Sequence, residues 1–201
     1  MLLTLLGSTG SIGKSTLDVV GRWPDRFGIF ALVAGKNVEL LAQQIAAFRP
    51  QVAVVADQAS LEKLHRILKD NGTPQPHLAA GPAARVAAAT ARKAGFVMSA
   101  IVGVEGLEAT YEAVRLGKRV GLANKEVLVA GGRLVTAATR ASGAELIPVD
   151  SEHNGAHQCF RAGLRSEVSK LILTASGGPF RETPAADLAQ VSAALPGPRR
   201  A

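Results

Sequence analysis

An α/β fold built on a doubly wound parallel sheet is predicted by three features of the sequence. Short β-branched or leucine-rich runs alternate six or more times with segments of helical periodicity. The first run passes through a glycine-rich turn straight into the first helical segment, the entry to a βαβ unit. No internal repeat and no long low-complexity segment interrupts the pattern.

The elements follow in order. Leu2–Leu6 reads as strand and Ile12–Arg22 as helix, ended by Trp23-Pro24. Phe27–Ala34 is strand. Asn37 can cap a helix whose Val38, Leu41, Ile45 and Phe48 share one face, and Pro50 stops it. Val52–Ala56 is strand and Leu61–Lys69 helix, with Asn71-Gly72 as its C-terminal stop. After a turn at Thr73–Gln75 come a short strand, His77–Ala80, and an alanine-rich helix, Ala83–Lys93. Phe96–Val102, Arg119–Leu122 and Leu146–Val149 are expected as strands, alternating with helices over Leu107–Leu116, Val127–Arg140 and Asn154–Ala162. Leu171–Thr174 is expected as a further strand. Gly143 is the best candidate hinge, which divides the chain into residues 1–143, 144–190 and a loose Ala/Pro/Gly/Arg tail over 191–201.

Composition narrows the function classes. The 201 residues, 47% hydrophobic and 19% charged, suffice for a sizeable core and argue against disorder. No apolar run approaches the roughly 18–20 residues that span a bilayer, so no membrane partner is expected. Met1–Leu6 lacks a basic flank and ends in a glycine turn, so it reads as a buried strand and not a signal peptide. Cys159 is the lone cysteine; it excludes an internal disulfide framework, fits a reducing cytoplasm and is expected as a small buried hydrophobe. The net charge of +7 would suit nucleic acid. However, the basic residues are scattered, aromatics are 4%, and no nucleic-acid module motif appears, so nucleic acid is not expected, and anionic small molecules fit the charge as well.

The turn Gly7-Ser8-Thr9-Gly10-Ser11-Ile12-Gly13 has the spacing G-x-x-G-x-x-G between strand and helix, a variant of the dinucleotide fingerprint. Its glycines allow a tight turn and close approach of a pyrophosphate, which the helix N-terminus favours. An overlapping motif competes: Gly13-Lys14-Ser15 ends like a P-loop, with Leu146–Asp150 as a Walker B strand, but Ser8 stands where the first P-loop glycine belongs. At the end of the second strand, Ala34-Gly35-Lys36-Asn37 carries no acid for a ribose 2′-hydroxyl. Lys36 is either a cation for a 2′-phosphate, favouring NADP over NAD, or an exposed lysine before the Asn37 cap.

Asp150-Ser151-Glu152 follows the apolar run Leu146–Val149. In an extended chain residues two apart point the same way, so both carboxylates would converge on a hard cation with Ser151 beside the ligand. The alternative is a helix N-terminus, with Asp or Ser as cap and Glu in the first turn. His153 and His157, spaced i, i+4, suggest zinc, but no cysteine cluster or third histidine lies near. His65 and His77 read as ordinary helix-surface and strand residues.

Three further segments complete a pattern: Leu122–Glu126, Pro148–Asn154 and Thr174–Pro184. With Gly7–Gly13 and Ala34–Asn37, their order and spacing over residues 1 to about 188 resemble the 1-deoxy-D-xylulose 5-phosphate reductoisomerase family. The resemblance implies a Rossmann-like NADPH-binding domain over residues 1–143 and the start of an incomplete α+β catalytic domain from residue 144. It also implies an enzyme of non-mevalonate isoprenoid synthesis, typically homodimeric, that uses NADPH and Mn²⁺ or Mg²⁺ on a sugar phosphate substrate. By position, it assigns Thr9, Gly10, Ser11 and Ile12 to the cofactor phosphates and Gly35, Lys36 and Asn37 to the adenosine end. Asn124 and Glu126 fall on the cofactor side, Lys125 on the substrate, Asp150 and Glu152 on the metal, and Ser151 and Ser176 on the substrate. Lys125, Asp150 and Glu152 are thereby the expected catalytic residues. His153 matches a family histidine, whereas His157 stands where the family more often has an aromatic residue. After about Leu188 the likeness ends, so a further metal-binding glutamate, the phosphate-binding residues and a C-terminal helical domain have no counterpart. The expectation is a shortened chain that binds NADPH but does not turn over substrate.

Overall fold

The computed structural model describes residues 1–172 and 178–192. Contacts divide it into two compact units, Met1–Asn154 and Gly155–Ala201. In the first unit, β1 (Leu2–Leu6), β2 (Gly28–Val33), β3 (Val52–Val55), β4 (His77–Ala80), β5 (Phe96–Ser99), β6 (Arg119–Leu122) and β7 (Glu145–Pro148) form one sheet. Its order is β4-β3-β2-β1-β5-β6-β7, and every pair is parallel. The central strands are nearly continuous apolar runs because both faces are covered. Thr4, in the middle of β1, is fully buried, and its hydroxyl donates to the Ala88 carbonyl at 2.8 Å.

The crossovers are α1 (Ser11–Arg22), α2 (Val38–Phe48), α3 (Gln58–Asp70), α4 (Gly81–Thr90), α5 (Leu107–Arg115) and α6 (Glu126–Ser142). Two apolar clusters separate them by face. Leu17, Val20, Leu41, Ile45, Leu64 and Leu68 bring α1, α2 and α3 into one cluster. Ala88, Ala89, Ala113, Val114, Val127 and Val135 bring α4, α5 and α6 into the other. A fixed right-handed crossover gives this segregation once the chain reverses direction across the sheet. The reversal places a crevice between β1 and β5, at the carboxyl ends of the strands, where such sheets take ligands.

Several boundaries differ from the sequence expectation. β5 stops at Ser99 instead of Val102 because the Asn124 side chain, not a strand, takes the carbonyls of Ile101 and Gly103. α4 begins at Gly81, ahead of Ala83, with Pro82 in its first turn, and ends at Thr90 instead of Lys93. β7 is the seventh strand of the same sheet, and Gly143 before it is the left-handed C-cap of α6.

A seventh helix, α7 (Ser151–Arg161), starts three residues before the expected Asn154. Asp150 precedes it and accepts a long 3.4 Å bond from the His153 N–H, the geometry of a helix cap. In the second unit, Leu164 N–H donates to the Glu167 carboxylate at 2.8 Å, and Arg165 lies over the Phe160 ring at 5.6 Å. Leu171 and Ile172 are exposed and not in a strand, because no described strand pairs with them; the remaining expected strand residues, Leu173 and Thr174, lie outside the described residues. Cys159 is exposed, not buried: α7 buries none of its residues. No helix among the described residues is long and apolar enough to cross a membrane.

Candidate functional site

The turn after β1 has little freedom. Gly7 adopts φ +90°, and a Cβ there would stand 2.5 Å from the Ala100 carbonyl oxygen. Both Gly7 and Ser8 N–H groups donate to the Val33 carbonyl, at 2.8 and 2.9 Å, so the turn is tied to the end of β2. A Cβ on Gly13 would stand 2.3 Å from the Gly7 carbonyl oxygen; only glycine lets α1 rest directly on the turn. Gly10 is the N-cap of α1 and has no side chain to cap it, and no acid stands in the first turn. Such a terminus presents N–H groups and a positive dipole end to an anion.

Two clefts open from this turn. One, of ≈ 190 Å³, is walled by Gly7, Gly10, Val33–Gly35, Val55, Ala56, Ala100–Val102, Arg85 and Glu105. The other, of ≈ 250 Å³, is walled by Gly10–Ile12, Ala100–Val102, Ala123–Glu126 and Asp150. They share Gly10 and residues 100–102, and both lie at the strand carboxyl ends near the switch point.

The structure brings most sequence-selected residues to these clefts. Thr9 is half-buried in the turn, and Gly10, Ser11 and Ile12 are exposed at the start of α1. Gly35, Lys36 and Asn37 are exposed after β2, where Asn37 Oδ1 caps α2 by accepting from Leu40 N–H at 3.2 Å. The positive charge of Lys36 also acts on Asp57, whose carboxyl is held below its ordinary range chiefly by the Ser60 N–H. Asn124 is buried, and its side chain is an anchor: Nδ2 donates to the carbonyls of Ile101 and Gly103, the latter at 2.6 Å, and Oδ1 accepts from Glu126 N–H at 2.9 Å.

Around the acidic triplet, Asp150 has a 14% exposed side chain. Its Oδ2 lies 3.7 Å from Lys125 Nζ and its Oδ1 3.3 Å from His153 Nδ1. Its carboxyl is held below the usual carboxylate range, first by the His153 backbone N–H, then by the His153 and Lys125 side chains and a hydrogen bond with Glu152. Ser151 Oγ donates to Glu152 Oε2 at 2.9 Å. The extended-chain argument for convergence of Asp150 and Glu152 does not hold, since Ser151 and Glu152 are helical. The two carboxyls meet instead across the first turn of α7. No group of three His, Cys, Asp or Glu side chains able to hold a metal occurs among the described residues. Ser176 lies outside the described residues.

The P-loop alternative fails on position. Lys14 borders the groove between α1 and α2, with Leu17, Asp18 and Phe48, and neither cleft. β5 and β6 separate β7 from β1, and Asp150 meets the glycine turn only across the second cleft, which Lys14 does not line. Spacing rules did not reveal Gln44, whose buried amide donates to the Ser8 carbonyl at 2.9 Å beneath the turn. Nor did they reveal Arg85 and Glu105 in the first cleft. All three come from helical segments that carry no motif.

Comparison with known proteins agrees with this geometry. The sequence profile of 1-deoxy-D-xylulose 5-phosphate reductoisomerase matches residues 3–132, and that of the C-terminal domain of the same enzyme matches 146–197. The reductoisomerase of Solibacter usitatus is 63% identical over 189 residues, which cover 92% of this chain and 48% of that protein. That of a Janthinobacterium species is 50% identical, over 94% of this chain and 50% of that protein. Among solved structures, the Zymomonas mobilis reductoisomerase in complex with NADPH superimposes with a TM-score of 0.81 at 46% identity, over 95% of this chain and 50% of that one. A DOX-P reductoisomerase in complex with NADPH, fosmidomycin and magnesium superimposes with a TM-score of 0.81 at 34% identity, over 96% of this chain and 49% of that one. The chain thus spans about half the length of the curated relatives it matches. A seven-stranded parallel sheet with this glycine turn, matched by the family profile over most of the first unit, shows that the chain belongs to the 1-deoxy-D-xylulose 5-phosphate reductoisomerase family.

Proposed function

We propose that the chain supplies the NADPH-binding part and the first acidic groups of an enzyme that isomerises and reduces 1-deoxy-D-xylulose 5-phosphate to 2-C-methyl-D-erythritol 4-phosphate, in non-mevalonate isoprenoid synthesis. The observation that carries this reading is the pair of clefts sharing Gly10 and residues 100–102. One runs toward Gly35 for an adenosine half; the other runs to Lys125 and Asp150, where a reacting centre would lie beside the nicotinamide. Thr9, Gly10, Ser11 and Ile12 would hold the pyrophosphate. The cradle fits: side chains on Gly7 or Gly13 would collide with backbone, and the α1 terminus is uncapped. The two profile matches, 3–132 and 146–197, support a cofactor part over residues 1–143 and a catalytic part from residue 144.

Asp150 and Glu152 fit a hard divalent cation, Mg²⁺ or Mn²⁺, as oxygen donors, and the His153 N–H that lowers the Asp150 pKa further favours its ionised form. When bound, such an ion supplies Lewis-acid stabilisation of charge on substrate oxygens. Lys125, 60% exposed beside Asp150, would orient an anionic substrate, and Ser151 would donate to it once freed from Glu152. Asn124 acts by holding residues 101–103 against the start of α6, which shapes the wall between the clefts.

Titration of the 201-residue chain with NADPH, read by cofactor fluorescence, tests the reading. Saturable binding that ATP with Mg²⁺ does not displace supports it; absence of binding overturns it. Asp150 and Glu152 are not joined by a third side chain into a group of His, Cys, Asp or Glu able to hold a metal among the described residues. Misplacement of about 1 Å already costs roughly 10²-fold in rate. The chain assayed as it stands is therefore expected to show no substrate-dependent NADPH oxidation with Mn²⁺.

A further inference from the structure

Among the residues walling the first cleft, Arg85 and Glu105 are the only charged ones. Arg85 stands on α4, and its side chain is 13% exposed. One nitrogen, Nη1, donates to the Glu105 backbone carbonyl at 2.5 Å. The Glu105 carboxylate is 3.8 Å away and 77% exposed, a loose and screened partner. A guanidinium has five N–H donors in a fixed plane. Held by one bond to a carbonyl, it is oriented without being saturated. A largely buried cation whose counter-charge is mostly in water is an incomplete arrangement, and an anion entering the cleft would complete it. The other walls, Val33, Ala34, Val55, Ala56, Ile101 and Val102, are apolar and offer such an anion no charged partner. Lys36, the cation selected from sequence, does not border this cleft.

We propose that Arg85 is a nucleotide-binding residue that pairs with a phosphate of the adenosine half of the bound dinucleotide; this rests on the NADPH reading above. Arg85 leaves the Glu105 carboxylate and keeps its bond to the Glu105 carbonyl, which fixes its plane. The Glu105 carboxylate thus competes with the phosphate for Arg85.

Fluorescence titration of the 201-residue chain with NADPH and NADH, alongside thermal unfolding, tests this. Arg85→Met is expected to weaken NADPH binding tenfold or more at an unchanged unfolding midpoint. Equal losses for NADPH and NADH assign the contact to the pyrophosphate; a loss confined to NADPH assigns it to the 2′-phosphate. Affinities within twofold of the unaltered chain for both would overturn the proposal. Glu105→Gln keeps the carbonyl bond and removes the competing charge, and is expected to tighten NADPH binding twofold or more. Should Arg85→Met not fold, unchanged or weaker binding by Glu105→Gln overturns the proposal. If the unaltered chain bound neither dinucleotide, the cofactor reading itself would fall, and this inference with it.

Discussion

Lys125 Nζ lies 3.7 Å from Asp150 Oδ2, and the two residues reach each other from the ends of neighbouring strands. β6 and β7 pair in register to Leu122 and Pro148, so the residues that follow each strand emerge side by side. Lys125 opens α6 and Asp150 opens α7. The ammonium occupies space that a cation bound to Asp150 would share. Lys125→Met is therefore expected to strengthen Mn²⁺ binding to the chain, and Asp150→Asn to abolish it, both read by the loss of free Mn²⁺ signal in electron paramagnetic resonance. Weaker Mn²⁺ binding by Lys125→Met would show that the lysine does not oppose the metal.

The glycine turn separates folding from binding. Gly7→Ala combines a positive φ with a contact of 2.5 Å to backbone. A left-handed backbone costs an alanine roughly 1–2 kcal/mol and overpacking typically a further 1–3, so the loss in urea-unfolding free energy is expected at about 2–5 kcal/mol. Gly35 has open space where its Cβ would be, so Gly35→Ala should leave the urea midpoint unchanged. A midpoint for Gly7→Ala equal to that of the unaltered chain would contradict the geometry.

Cofactor choice is expected to rest partly on Lys36, exposed at the end of β2 where no acid stands to take a ribose 2′-hydroxyl. A charge-assisted bond is worth about 1.5–3 kcal/mol. Lys36→Glu should then weaken NADPH by about tenfold or more while NADH changes little, a difference of at least about 1.4 kcal/mol. Equal losses for both dinucleotides in the fluorescence titration would remove Lys36 from 2′-phosphate recognition.

Asn124 is expected to matter to stability before binding. Asn124→Leu leaves the carbonyls of Ile101 and Gly103 without their donor. A fully buried orphaned group costs about 1–3 kcal/mol, and because Ile101 and Gly103 are only half-buried, a total loss of about 1–2 kcal/mol in unfolding free energy should appear by denaturant titration. The 101–103 loop should also exchange its amide hydrogens faster. Unchanged exchange there would mean that the loop is held by other contacts.

Asp57 gives a pH dependence with a definite sign. Its carboxylate accepts from Ser60 N–H at 2.8 Å as the cap of α3, and this bond, followed by the Ser60 hydroxyl and the charge of Lys36, lowers its pKa from 3.8. A folded-state pKa below the unfolded one contributes stability that is present above the unfolded value and lost as pH falls through the folded value. Asp57→Ala should thus lower the thermal midpoint at pH 7, and the gap to the unaltered chain should close below pH 3.8. A gap that persists undiminished there would show that the cap acts without its charge.

Local order along the chain was enough to determine the element types of the seven-stranded sheet and its helices, the glycine turn and the acidic triplet, but not the state of Leu171 and Ile172, which were expected in a strand and are in none. Apolar periodicity and turn residues act between near neighbours and leave their mark in sequence. The end of β5 slipped because a distant side chain, Asn124, decided it, whereas the start of α7 is set locally by Asp150, the cap that competed with the extended reading of the acidic triplet. The same holds for the site. The approach of Lys125 to Asp150 depends on β6 lying beside β7. The arrival of Arg85 in the first cleft depends on α4 packing across the sheet from the helix it follows. Neither follows from spacing along the chain. Side chains far apart in sequence are brought together only when burial of two opposite sheet faces has set the strand order, and that order is a property of the whole packed core.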